Sequence, residues 1–236
     1  MFPKRRITLG GDVFRDEYSL DFDGSNDYVD TGHAIISGTG DYTFIAWIKK
    51  TTTGTTRNIA GNYGDGGLQG IQFGISSSEK FYTYTDETDP DQVNGTSNIP
   101  LNVWTHVAST RSSNSVVLYI NGVSDATGTL DNDIGADRNF CIGADPPTGA
   151  EFYTGKISDV AVYNTALSSS QIKTLYNGRE PYNHKEGVAS SSLIGWWRMG
   201  DGTEGGTGTT IYDMSANSNN GTMTNMSADD FTGDTP

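Results

Sequence analysis

Tyr42-Thr-Phe-Ile-Ala-Trp-Ile-Lys49 decides the fold class. Aromatic and β-branched residues alternate along it. Phe44, Ala46 and Ile48 fall on one side, and Thr43, Ile45 and Trp47 on the other. Both sides are apolar, so the segment reads as a central strand covered on both faces. Toward the C-terminus, Gln69-Gly-Ile-Gln-Phe-Gly-Ile75 and Lys80-Phe-Tyr-Thr-Tyr-Thr85 read as the next two strands. Val103-Trp-Thr-His-Val-Ala-Ser-Thr110 follows. Ser115-Val-Val-Leu-Tyr-Ile120 runs into Asn121-Gly122, the strongest hairpin signal in the chain. Lys156-Ile-Ser-Asp-Val-Ala-Val-Tyr163 is the last clear strand of the main body. One helix is predicted after it. Ser168-Ser-Ser-Gln171 is a capping box, Ile172, Leu175 and Tyr176 give an apolar stripe, and Gly178 ends the helix.

The remaining composition fits an all-β chain with turns. Thirty glycines are spread over 236 residues. The formal charge of −14 argues against wrapping nucleic acid and suits a soluble surface protein. Cys141 is the one cysteine, which excludes an internal disulfide and reads as a small apolar filler. No apolar run reaches membrane-span length. The start, Met1-Phe-Pro-Lys-Arg-Arg6, lacks the apolar stretch of a secretory signal, so synthesis in a cytoplasm and release by lysis or a dedicated exporter are expected. The chain divides into an N-terminal arm (1–16), a strand-rich body (17–178), a polar linker (179–192) and a C-terminal arm (193–236).

Several phrases together resemble the laminin-G-like, concanavalin A-like lectin/glucanase jelly-roll family. They are Phe22-Asp-Gly-Ser-Asn-Asp-Tyr-Val29, Tyr42-Thr-Phe-Ile-Ala-Trp47, Trp104-Thr-His-Val107, Leu118-Tyr-Ile-Asn-Gly122, Ile142-Gly143 and Gly155-Lys-Ile-Ser-Asp-Val-Ala-Val-Tyr-Asn-Thr-Ala-Leu-Ser168. The resemblance implies a β-sandwich of two antiparallel sheets. Ile194-Gly-Trp-Trp-Arg-Met-Gly200 and Ile211-Tyr-Asp-Met-Ser-Ala-Asn-Ser-Asn-Asn-Gly-Thr222 resemble the family's leading segment, yet they come last. A permuted module is therefore expected, its closing strands supplied by the C-terminal arm. That arm also resembles closing segments of laminin-G-type proteins carried by marine phages.

The family includes glucanases that work with paired carboxylates. That pattern is missing here. The nearest acids are Asp21 and Asp23 beside a turn, and Asp86, Glu87, Asp89 and Asp91 in a loop. His106 reads as structural, and Cys141 has no base beside it. The chain is read as a non-enzyme. The resemblance implies a calcium ion tying the early strand to the last body strand. Asp23, Gly24 and Asp159 hold the matching positions, with Asp27 close enough to help. The alternative is a tight turn in which Asp23 to Asp27 bond their own backbone. In such modules sugars meet aromatic faces and planar polar groups. The candidates are Asn62 and Tyr63 in a glycine-rich loop, Tyr82 and Tyr84 on one strand, and Tyr153 beyond Pro146-Pro147. Trp47, Trp104, Trp196 and Trp197 are expected to be largely buried.

The reading favours a structural and recognition protein on a phage virion surface, adhering to cell-surface glycans. Its partners would be other virion proteins or its own copies, met through the terminal arms, with no nucleic acid and no membrane. The alternative is an exported, calcium-dependent carbohydrate-binding module, and a glycan hydrolase ranks last.

Overall fold

The computed structural model describes residues 14, 16–62, 70–85, 91–145, 151–200 and 208–236. Two antiparallel sheets stack face to face. The strands are β1 (Ser19–Asp23), β2 (Tyr28–Asp30), β3 (Tyr42–Lys50), β4 (Arg57–Gly61), β5 (Ile71–Ile75), β6 (Lys80–Thr85), β7 (Asp91–Asn98) and β8 (Thr105–Ser112). After them come β9 (Ser115–Ile120), β10 (Val123–Thr129), β11 (Cys141–Ile142) and β12 (Thr154–Tyr163). Helix α1 (Ser169–Tyr176) precedes β13 (Leu193–Trp197), β14 (Thr210–Ile211), β15 (Gly221–Thr224) and β16 (Phe231–Thr232). The first sheet runs β10-β9-β8-β3-β12-β1-β16, with β13 also on β12. The second runs β14-β15-β2-β11-β4-β5-β6-β7.

Alternation sorts the two faces of the second sheet. Met223, Val29, Ile142, Ala60, Phe73, Thr83 and Val93 are in register and turn inward. Phe73 meets Phe44 of the first sheet ring on ring, with centroids 4.1 Å apart. This stacked pair sits where the two inner faces meet. The next row in register, Thr222, Asp30, Cys141, Gly61, Gln72, Tyr84 and Gln92, turns outward.

Both faces of β3 are covered, as its sequence predicts. Phe44, Ala46 and Ile48 enter the main core, while Ile45 joins a second cluster outside the first sheet. Helix α1 lies over that outer face. Ser168 and Gln171 form the capping box, Ile172 and Leu175 are buried, and the Tyr176 ring stacks 5.7 Å from Trp47. The helix ends at Asn177, which takes the left-handed conformation one residue before the glycine assigned to that role. The linker is less polar in place than in composition. Its Tyr182, Val188 and Ala189 pack on this cluster, and His184 is buried.

The outer edge of β12 is divided. Its first half, Thr154 to Ile157, pairs with β1, and its second half, from Val160, pairs with β13. Between them lies a bulge, where Ser158 to Ala161 oppose Trp47 to Ile45 of β3. Asp159 occupies the bulge at φ 52°, a strained conformation for a non-glycine residue. The C-terminal arm thus adds β13 and β16 to the first sheet and β14-β15 to the second. Asp234 fastens its end, accepting hydrogen bonds from Trp104 Nε1 at 3.1 Å and Lys49 Nζ at 2.7 Å. Trp47, Trp196 and Trp197 are buried. Trp104 is only half-buried, because its indole nitrogen reaches out to Asp234.

A chain ending at Ser192 would lose β13 to β16. Trp196, Trp197, Met199, Ile211 and Met223 are all buried there. At about 1.5–3 kcal/mol each they rival the ~5–15 kcal/mol stability of a domain. The shortened chain should show no cooperative melt. A soluble product that melts cooperatively would show the arm to be dispensable.

His106 yields a second expectation. Its side chain is wholly buried beside Trp47, and neither ring nitrogen has a partner among the described residues. Burial lowers its pKa from 6.5 to about 3, against the pull of Asp159, with His184 adding to the fall. The unfolded chain takes up this proton near pH 6.5, while the folded chain resists it down to about pH 3. The stability from neutral His106 is therefore complete above pH 6.5 and is lost toward pH 3, at about 1.4 kcal/mol per unit. His106→Phe should flatten the fall in melting temperature between pH 7 and pH 4. Parallel wild-type and variant curves would refute this.

Candidate functional site

The outward row of the second sheet carries its polar side chains in graded exposure. Gln72 and Tyr82 keep 5 % and 3 % of their surface, Tyr84 and Glu151 are half-buried, and Gln92 and Asn94 are exposed. Tyr82 faces Gly74 across the β5–β6 pair. A Cβ at Gly74 would sit 2.6 Å from the Tyr82 ring, so the glycine lets that ring lie flat on the sheet. The Tyr82 hydroxyl then lies 3.2 Å from Gln72 Oε1 and 3.4 Å from Glu151 Oε2, and it can donate to either. Gln72 Nε2 donates to the same Glu151 oxygen at 3.2 Å. Glu151 is held from behind, its carbonyl accepting from Asn58 N at 2.8 Å. Further along β7, Gln92 Nε2 donates to Asn94 Oδ1 at 3.1 Å.

Burial keeps the phenol and thiol of this row neutral. Burial pushes the Tyr82 phenol well above its ordinary value, and Glu151 and Asp145 push it further. Burial likewise pushes the Cys141 thiol up, with Asp30 and Asp145 adding. Cys141 is thus a protonated filler and no nucleophile. The arrangement offers amide, phenol and carboxylate groups, a set suited to hydrogen-bonding a polyhydroxylated ligand.

Of the sequence candidates, Tyr82 and Tyr84 stand on this face, and Tyr63 lies outside the described residues. Two placements correct the sequence reading. Asn62 is wholly buried, and its Nδ2 donates to Ile36 O at 3.0 Å and Gly135 O at 2.9 Å, so it anchors a loop. Tyr153 is wholly buried in the core, edge-on to Phe22, with no ring face left for a ligand. The sequence reading missed Gln72 and Glu151. Alternation around Gln72 was the available signal, since Ile71 and Phe73 flank it.

The positions implied for calcium do not form one ligand set. Asp23 Oδ1 accepts from Ser25 N at 2.7 Å, and Asp27 Oδ2 accepts from Asp23 N at 2.9 Å. Gly24 has φ 79°, and a Cβ there would lie 2.1 Å from Thr154 Oγ1, so close packing requires glycine. Asp159 is elsewhere. Asp23 pairs with Thr154, and Asp159 lies roughly 15 Å further along β12 at the usual rise per residue. Its carboxylate accepts from Trp196 Nε1 at 2.6 Å and lies 3.3 Å from His184 Nε2. Among the described residues no group of three or more His, Cys, Asp or Glu could hold a metal ion. An acidic hollow of about 490 Å³ does open beside the turn, lined by Asp21, Phe22, Asp23, Asp229, Asp230, Phe231 and Thr232. Asp21 lies 3.6 Å from Lys156 Nζ there.

Asp27 separates the two readings of this turn. Burial raises its pKa, and the nearby Asp23 and Asp230 charges add to that against the Asp23 backbone hydrogen bond. Without a cation, Asp27→Asn should raise the melting temperature at neutral pH, and EDTA should shift the wild-type melt by less than about 1 °C. Calcium-dependent melting abolished by Asp27→Asn would restore the metal.

The model of the concanavalin A-like lectin/glucanases superfamily matches residues 23–173. No curated protein matches the chain. Among solved structures, a candidate carbohydrate-binding protein of Bacteroides ovatus aligns with TM-score 0.70 at 20 % identity, covering 91 % of this chain and 59 % of that one. This chain therefore spans about three fifths of that protein. The CBM40 of Ruminococcus gnavus IT-sialidase, bound to α2,3-sialyllactose, aligns with TM-score 0.58 at 16 % identity over 67 % of this chain and 96 % of that one. Domain 4 of the arabinanase AbnA from Geobacillus stearothermophilus, in complex with arabinotriose, aligns with TM-score 0.52 at 23 % identity over 61 % and 69 %. At these identities the likeness is one of fold.

Proposed function

The chain belongs to the concanavalin A-like lectin/glucanase superfamily, and from that premise we propose that it binds glycans, without catalysis, on the outer face of its second sheet. One observation carries the reading: the hydrogen-bonded set Gln72, Tyr82 and Glu151 continues into half-buried Tyr84 and exposed Gln92 and Asn94. Such a strip offers a sugar both a ring face and planar polar partners. The fold neighbours bound to sialyllactose and to arabinotriose support it by analogy. The non-catalytic reading is supported by the engagement of the Asp21 and Asp23 carboxylates, one with Lys156 and one with the turn's backbone. The proposal extends to location on a virion surface, among other virion proteins, where a net charge of −14 would help keep such particles apart. Antibody labelling of purified source particles, imaged in negative stain, tests that location.

A glycan array probed with the full chain tests the binding. Tyr84→Ala and Gln92→Ala should each weaken binding about tenfold or more while leaving the melting temperature within about 2 °C. An array with no hits, or binding that both variants leave unchanged, would overturn the reading.

A further inference from the structure

We propose that this face selects neutral glycans and rejects those carrying a carboxylate, such as sialylated ones. The inference rests on the glycan-binding reading and adds the chemistry of the ligand.

Carboxylates predominate along the strip. Glu151 Oε2 stands within hydrogen-bond reach of both Gln72 Nε2 and the Tyr82 hydroxyl. Asp145, only 5 % exposed, is close enough to act on both the Tyr82 phenol and the Cys141 thiol. Asp30 pairs with Cys141 in the same outward row. Three carboxylates therefore border the strip from β2 to β6. Among the described outward residues of β4 to β7, the one cation is Lys80. It stands two residues from Tyr82 along β6, and its Nζ donates to Thr96 O at the sheet's end.

Two consequences follow for a ligand. Sugar hydroxyls donate well to a carboxylate, and such charge-assisted bonds are the stronger kind. The Gln72 amide adds a donor and an acceptor. A sialic acid carboxylate meets the opposite situation. It needs a cation or a set of converging donors, and here it would lose hydration next to like charges. Selection then comes chiefly from repulsion, and so it should depend on ionic strength.

The test uses the full chain and an array that prints neutral oligosaccharides beside their sialylated counterparts. Binding is read at about 20 mM and about 500 mM salt, where screening differs several-fold. Neutral members should bind, with sialylated counterparts weaker by about tenfold or more at low salt. High salt should narrow that gap, and so should Glu151→Gln. Where Glu151→Gln fails to melt cooperatively, the salt series on the wild type decides. Equal or tighter binding of the sialylated member overturns this inference and leaves the glycan-binding reading standing. So does a preference that neither salt nor Glu151→Gln changes. Binding to neither member of any pair overturns the glycan-binding reading itself, and the selectivity falls with it.

Discussion

The hydrogen bond from Trp196 Nε1 to Asp159 holds the two halves of this molecule in place. It crosses from β13 to the bulge of β12, where one edge passes from β1 to β13. A buried carboxylate is costly unless donors surround it. Here Trp196 Nε1 supplies one, and His184, itself bonded to the Tyr163 hydroxyl at 2.6 Å, lies against the other oxygen. The same bulge lies where β13 ends, at Trp197, and the chain continues through Arg198 to the strands that join β2 in the second sheet. Asp16 and Phe14 close over Arg198 from the N-terminal side, the ring 4.4 Å from the guanidinium. One strained residue thus ties the linker and the C-terminal arm to β12.

This arrangement also decides which face can meet a ligand. The outer face of the first sheet is used up in holding the chain together. Ile45, Tyr163, Trp196, the helix and the linker bury one another there. The outer face of the second sheet has no such cover from α1 or the linker, and its row in register contains no large aliphatic residue. A polar strip on a stable sheet is well suited to recognition, because its side chains are positioned by backbone pairing and need little ordering on binding.

The strands and the helix were legible because alternation, the Asn121-Gly122 turn and the Ser168 capping box are local signals. What was not legible depends on partners distant in sequence. Alternation places Tyr82 and Tyr84 on one face but does not say whether that face is core or surface, and only pairing with Gly74 and Gln92 settles it. Tyr153 looked like a loop aromatic, and its ring is instead drawn under Phe22. Asp159 holds a position that the family resemblance implies for a metal, but the bulge turns it toward Trp196 and His184. No local pattern announces a bulge at Asp159, because the residue takes a conformation that its type rarely adopts. His184 sits in a polar linker and is buried only because Trp196 and Tyr163 are already there.

The two acidic regions differ in what their carboxylates hold. Around the β1–β2 turn, Asp23 and Asp27 accept from backbone N–H groups of the same turn, at Ser25 and Asp23. Those donors cannot leave without undoing the turn, so the oxygens are structural. On the second sheet the donors to Glu151 are a side-chain amide and a phenol, Gln72 Nε2 and the Tyr82 hydroxyl. Side-chain donors can turn toward an incoming hydroxyl while the backbone ladder beneath them stays intact. Local acidity therefore marks both regions equally in the sequence, but only the second has acceptors whose present partners can be exchanged for a ligand's. That difference in the donor, more than the number of carboxylates, is why the proposed glycan site is placed on β5 and β6 and not at the β1–β2 turn.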